Sequence, residues 1–115
     1  MPRVRIFHVA YDTSLLRVRT EMLKHAGFNV SSALGNPQAR RELEANADYG
    51  LVVVGWSAPD GERGDMVRWV KVHYPNLRVI ALYGGAGHEI PEADFNSRSE
   101  DPGEWFGAVK RAAIA

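Results

Sequence analysis

The sequence predicts a doubly wound α/β fold: five parallel strands in the order 2-1-3-4-5, with helices on both faces of the sheet. Three observations carry that expectation. Short β-branched or apolar runs alternate along the chain with longer amphipathic stretches, which implies a parallel sheet with right-handed crossovers. The run "LVVV" at 51–54 is apolar without a break, as a strand covered on both faces should be. The length of 115 residues suits one domain, expected to span 1–115, with a core large enough to need no staples.

Each element has its own signal. "RVRIFHVAY" reads as the first strand. "DTSLLRVRTEMLKHAGF" follows as a helix, with Asp12 or Thr13 able to cap the free amides of its first turn. Leu15, Val18, Met22 and Ala26 give it an apolar face, and Arg17, Arg19, Glu21 and Lys24 fall elsewhere. Gly27 suits the left-handed position after its end. "NVSSAL" is the second strand. "GNPQARRELEANADYG" holds a second helix, with Asn36 as cap and Pro37 in its first turn. Ala39, Leu43 and Ala47 form its thin apolar face. "LVVVGW" is the third strand, "SAPDGERG" a turn-rich loop, and "DMVRWVKVHYP" a helix with Met66 and Val70 inward. "NLRVIALY" is the fourth strand, "GGAGHEIPEA" a loop or a single turn, and "DFNSRS" a weak fifth strand. "EDPGEWFGAVKRAAIA" closes the chain as a helix, with Trp105, Val109 and Ala112 on one face. This is the flavodoxin-like arrangement.

Composition excludes several classes of function. Fourteen Lys and Arg balance fourteen Asp and Glu, so there is no basic excess to hold nucleic acid directly. Without cysteine there is neither a disulfide framework nor a thiolate site, which fits a cytoplasmic setting. No run approaches the ~20 apolar residues of a membrane span. His8, His25, His73 and His88 are scattered, with His8 expected to be half-buried on the first strand, and no pair has metal-ligand spacing. "YGGAGHE" is glycine-rich after a strand but lacks the spacing of a nucleotide-phosphate fingerprint. No metal or cofactor is expected, and no enzymatic activity.

The motifs "IFHVAYDTSLLRVRTEMLKHAGFNV", "DYGLVVVGWSAP", "NLRVIALYG" and "ADFNSRSEDPGEWFGAVKRA" resemble a response-regulator receiver domain of the chemotaxis type, over nearly the whole chain. The resemblance implies a domain of two-component signalling that takes a phosphoryl group from a histidine kinase. It also implies which positions would do so, and each departs from the pattern. Gly55 stands at the phosphoacceptor aspartate, and glycine offers no nucleophile. Ala10 and Tyr11 stand at the acidic pair that helps to hold Mg²⁺, leaving Asp12 as the nearby acid, with capping its expected task. Tyr83 replaces the hydroxyl residue of the fourth strand, and Arg98 the lysine of the fifth. Phe95 matches the switch aromatic, whose inward path the bulk of Tyr83 should block, leaving one locked state. Only ten residues separate Tyr83 from Asp94, so the helix that receivers carry there should be shortened or missing.

These departures make the chain a degenerate pseudo-receiver: a non-catalytic module acting through a kinase, an output domain or a second copy of itself, with a homodimer among the candidate assemblies. Two other functions compete. One is a small-ligand or anion sensor built on the crevice around Tyr11, Tyr83 and Arg98. The other is a receiver phosphorylated on a relocated acid such as Asp12 or Asp60. The hole left over Gly55 should be filled either by the ring of Tyr11 or Tyr83, or by water.

Overall fold

The computed structural model describes residues 4–114. The outermost residues of the expected first strand, at Arg3, and closing helix, at Ala115, lie outside them. The elements are β1 (Arg5–Ala10), α1 (Thr13–His25), β2 (Asn29–Leu34), α2 (Asn36–Ala45), β3 (Leu51–Val54), α3 (Asp60–His73), β4 (Arg78–Tyr83), β5 (Phe95–Arg98) and α4 (Pro102–Ile114). The sheet runs β2-β1-β3-β4-β5 and every pairing is parallel, as the alternation of elements predicts. Val9 sits beside Val54, and Val54 beside Ala81, so β1, ending at Ala10, and β4, ending at Tyr83, both run past the end of β3.

Strand alternation divides the core in two. Phe7, Val9, Val52, Val54, Val79 and Ala81 pack with Ala39 and Leu43 of α2 and with Met66, Val67 and Val70 of α3. On the other face, Ile6, Leu51, Val53, Ile80 and Leu82 pack with Leu23 of α1 and with Trp105, Val109 and Ala112 of α4. Each fully buried aliphatic side chain contributes roughly 1.5–3 kcal/mol relative to exposure.

The helix boundaries follow local chemistry. Asp12 caps α1, its Oδ1 accepting from the Leu15 amide at 3.0 Å, and Gly27 takes the left-handed conformation beyond the helix end at φ 94°. Asn36 is not the cap of α2. Gly35 holds that position, and the buried Asn36 side chain turns inward to bridge other elements.

Three further expectations need correction. The α1 face is rotated from the one its apolar residues suggest: Val18 is 55% exposed, whereas Arg19 is 3% exposed and lies inside. Helix α3 begins at Asp60, within the stretch read as a loop. Pro59 precedes it, and Asp60 and Glu62 in its first turn suit the positive end of the helix dipole. Tertiary burial of Arg63 and Gly64 overrides the glycine-rich turn signals there. His8, expected to be half-buried, is wholly buried.

Between β4 and β5 no helix forms. Residues 84–94 are a fastened loop. Ile90 is buried in the α2–α3 core, and the Asn96 side chain accepts from its amide at 2.8 Å and donates to its carbonyl at 3.0 Å. Asp94 accepts from the Val79 amide at 2.7 Å and from Lys71 Nζ at 2.9 Å. Trp105 is also buried and Phe95 partly so, so the loop and α4 cover apolar surface that a missing helix would otherwise expose.

Candidate functional site

In an open α/β sheet, ligands bind beyond the carboxyl ends of the strands where strand order reverses. Here that place lies between the ends of β1 and β3, at Ala10 and Gly55. Gly55 faces the α1–α4 side of the sheet, and a side chain from α1 already occupies the space above it. A Cβ added to Gly55 would fall 2.9 Å from Nη1 of Arg19, 3.1 Å from the Val9 carbonyl oxygen and 3.6 Å from the Ala10 Cα. Neither Tyr11 nor Tyr83 supplies one of these nearest atoms. The cation and the glycine fit each other.

A polar chain aims the guanidinium. Arg19 can only donate, so its Nη1, 3.5 Å from His8 Nε2, requires that nitrogen to accept. His8 then carries its proton on Nδ1 and donates to Ser32 Oγ at 3.3 Å. The Ser32 hydroxyl donates to Thr20 Oγ1 at 2.6 Å, and Thr20 donates to the Leu16 carbonyl at 2.6 Å. Burial, and then the neighbouring Arg19, lower the His8 pKa to about 3, so the imidazole stays neutral. Burial brings Arg19 down to about 10, against a weak opposing pull from Asp12, so it remains a cation at neutral pH. The Trp105 ring centroid is 5.9 Å from the guanidinium carbon, within reach of cation–π attraction.

A second buried arginine grips Gly55 from its carbonyl. Arg63 is fully buried. Its Nε donates to the Gly55 carbonyl at 3.2 Å and its Nη2 to the Leu82 carbonyl, tying the ends of β3 and β4 together. Its Nη1 donates to Asp60 Oδ1 at 3.0 Å and to the His88 carbonyl at 3.3 Å, anchoring the 84–94 loop. Asp60 also binds His88, at its amide (3.1 Å) and at ring Nδ1 (2.7 Å), and the ring contact is the main reason its carboxyl stays below the usual range.

The residues singled out in the sequence are placed as follows. Tyr11 turns toward α2 and α3, donating to Asn36 Oδ1 at 2.7 Å, and Asn36 Nδ2 donates to the Glu62 carbonyl at 2.9 Å. Burial, and then the charge of Glu62, raise the Tyr11 pKa. Tyr83 and Arg98 stack at 5.1 Å, and Arg98 lies 3.9 Å from Glu100. Phe95 packs on the α1–α4 core. Asp12 caps its helix and Asp60 is held by Arg63 and His88, so the acids near the crevice are engaged elsewhere. Among the described residues, no group of three or more His, Cys, Asp or Glu side chains could hold a metal ion. Nor is any helix among them long and apolar enough to cross a membrane. Beside Gly55, residues Trp56–Asp60 and Gly84–Gly87 line an open groove of about 460 Å³.

Arg19 and Arg63 are the site residues that sequence reasoning missed. Both lie on apolar faces: Arg19 is one turn from Leu15, Met22 and Leu23, and Arg63 one turn from Met66 and Val67. That spacing was the available signal.

No protein-family model matches the sequence, and no curated protein matches it. Solved structures do. A receiver domain from Clostridium thermocellum superposes with a TM-score of 0.82 at 18% identity, covering 96% of this chain and 94% of that one. A CheY-like receiver from Methanospirillum hungatei gives 0.82 at 21% identity, covering 97% and 94%. The fold is that of a receiver domain. The response regulator TrrA of Thermotoga maritima, in complex with Mg²⁺ and beryllofluoride, gives 0.80 at 18% identity over 97% and 99%. TrrA in complex with the histidine kinase ThkA gives 0.79 at 18% over 97% and 98%. At these identities the likeness carries the receiver fold and leaves function to the residues of the site.

Proposed function

We propose that this chain is a signalling module of the response-regulator type that accepts no phosphoryl group at the end of β3 and acts through contacts with other proteins. One observation carries the reading: a guanidinium, not a carboxylate, occupies the crevice over Gly55. An acyl phosphate needs a carboxylate nucleophile and, beside it, acids to hold Mg²⁺. Gly55, Ala10 and Tyr11 supply none of these groups. The relocated acids compete poorly, because Asp12 and Asp60 already serve a helix cap and the Arg63–His88 cluster. TrrA bound to a histidine kinase supports a protein partner for the same fold. The face beside β5 presents a fastened loop where the resemblance to receivers would place a helix, so a partner there would meet different chemistry. The Tyr83–Arg98 stack and the packed Phe95 favour one fixed state over a two-state switch.

Intact-protein mass after incubation with acetyl phosphate and Mg²⁺, with a standard receiver as positive control, tests this reading. The expected result is no added phosphoryl mass. A labile gain of one phosphoryl group on this chain would mean that another carboxylate has taken over, and would overturn the proposal.

A further inference from the structure

A second concavity lies at the other end of the sheet from Gly55, between the segments that lead into β3 and β4. It holds about 390 Å³, within the range of small-ligand pockets. Tyr49 and Tyr74, both half-buried, and the buried Leu77 line it together with His73, Pro75 and Asn76. These walls are fixed by their own contacts. The Tyr74 hydroxyl donates to the Leu43 carbonyl at 3.3 Å, and its ring meets Trp69 edge to face at 5.7 Å. The Leu77 amide donates to the Tyr74 carbonyl at 2.9 Å, and Lys71 Nζ donates to the Leu77 carbonyl at 2.9 Å, so the 74–77 turn is closed. Tyr49 packs edge to face on Phe7 at 5.2 Å, with the Arg5 guanidinium 4.8 Å from its ring centroid. His73 stacks on Trp69 at 4.6 Å, and its Nδ1 lies 2.9 Å from the Trp69 carbonyl. A carbonyl can only accept, so Nδ1 donates and Nε2 of the neutral ring is left as an oriented acceptor.

The uncommitted groups define what would fit. Charged residues make up 24% of the chain, yet no Asp, Glu, Lys or Arg lines this pocket. Among the described residues neither the Tyr49 hydroxyl nor the Asn76 carboxamide makes a hydrogen bond. With His73 Nε2 they offer both donors and acceptors beside aromatic walls. An anion would meet no cation in the lining, and an aliphatic ligand would leave the polar groups unpaired. A flat ring carrying N–H groups and ring nitrogens at its edge would satisfy both the walls and the polar groups.

We propose that this pocket binds a neutral planar nitrogen heterocycle of the purine class, its ring against Tyr49 and Tyr74 and its edge hydrogen-bonded to Asn76 and His73. Aromatic side chains stack on the faces of such rings, and a carboxamide can pair with two neighbouring groups on an adenine edge. The site stands apart from the strand ends at Gly55, so it is independent of whether a phosphoryl group is accepted there.

The test is an NMR titration of the full, isotope-labelled chain with adenosine, with ribose as control. Saturable shifts should be confined to the amides of 47–49 and 73–77 and the Asn76 side chain, with the Gly55 amide unmoved. Asn76→Ala, a change on an exposed turn, should weaken binding about tenfold. Tyr49→Leu should weaken it about as much, and Tyr49→Phe, which keeps the ring, should weaken it less; the asparagine and phenylalanine variants serve if the leucine variant does not fold. Adenosine monophosphate at matched ionic strength separates two sources of the ring. Binding equal to that of adenosine would admit the base of a nucleotide, and weaker binding would restrict the site to uncharged ligands; both agree with the proposal. Tighter binding of the monophosphate would show that charge is recognised and would overturn it. No saturable shift, an equal response to ribose, shifts centred on Gly55, or full affinity in both Asn76→Ala and Tyr49→Leu would also overturn it.

Discussion

Arg63→Ala is expected to lower stability by about 3–5 kcal/mol, the cost of breaking a buried charged network. The side chain is fully buried and donates to the carbonyls of Gly55, Leu82 and His88 and to Asp60. Its removal leaves acceptors at the ends of β3 and β4 without their partner and opens a cavity under the 84–94 loop. Two readouts separate these effects. Urea denaturation gives the total loss, and amide hydrogen exchange should show 84–94 opening before the strands do. Arg63→Met fills the volume without the bonds and should recover part of the loss. A loss below about 1 kcal/mol for the alanine variant would mean that Arg63 does not tie the crevice together.

His8 makes the fold sensitive to mild acid. Its folded pKa is about 3, against an ordinary value near 6.5 for the unfolded chain. As pH falls through 6.5, the unfolded state takes up a proton that the folded state refuses. Stability contributed by the neutral buried ring is therefore full above that value and is lost progressively toward pH 3. From about pH 7.5 to about pH 5 the expected loss is about 2 kcal/mol. The window lies above the range in which the lowered carboxyls of Asp60 and Glu100 titrate. Denaturation midpoints across it should fall in the wild type and stay nearly level in His8→Gln, which keeps a donor and an acceptor. A wild-type profile flat over this range would show that His8 is not held neutral inside.

The sheet was legible because its signals are local and redundant. Apolar runs such as "LVVV" and "VIAL" sit between amphipathic stretches, and Asp12 and Gly27 punctuate α1 where capping chemistry demands. That Gly55, Ala10 and Tyr11 carry no carboxylate needs no coordinates. What fills the crevice beside them was not legible. Charged residues are usually placed on the wet face of a helix, and that prior sent Arg19 outward and put Val18 in its stead. The same prior, with Pro59, Gly61 and Gly64 reading as turn residues, hid the first turn of α3 and Arg63 within it. Burial of an arginine depends on acceptors that come from other elements: His8 from β1, and the carbonyls of Gly55 and Leu82 from beyond β3 and from β4. Such partners meet only after the sheet has assembled. Tyr11 illustrates the same limit, since its hydroxyl is claimed by Asn36, itself first read as a helix cap.

The central claim is that the Arg19 guanidinium, held by His8, fills the crevice over Gly55. Nuclear Overhauser contacts measured in the isotope-labelled chain test it most directly. The account predicts cross-peaks from the Arg19 guanidinium protons to the Gly55 α-protons and to the His8 ring, with slowed exchange of the guanidinium protons. Cross-peaks from the Tyr11 or Tyr83 ring to Gly55, with Arg19 in fast exchange with water, would contradict it.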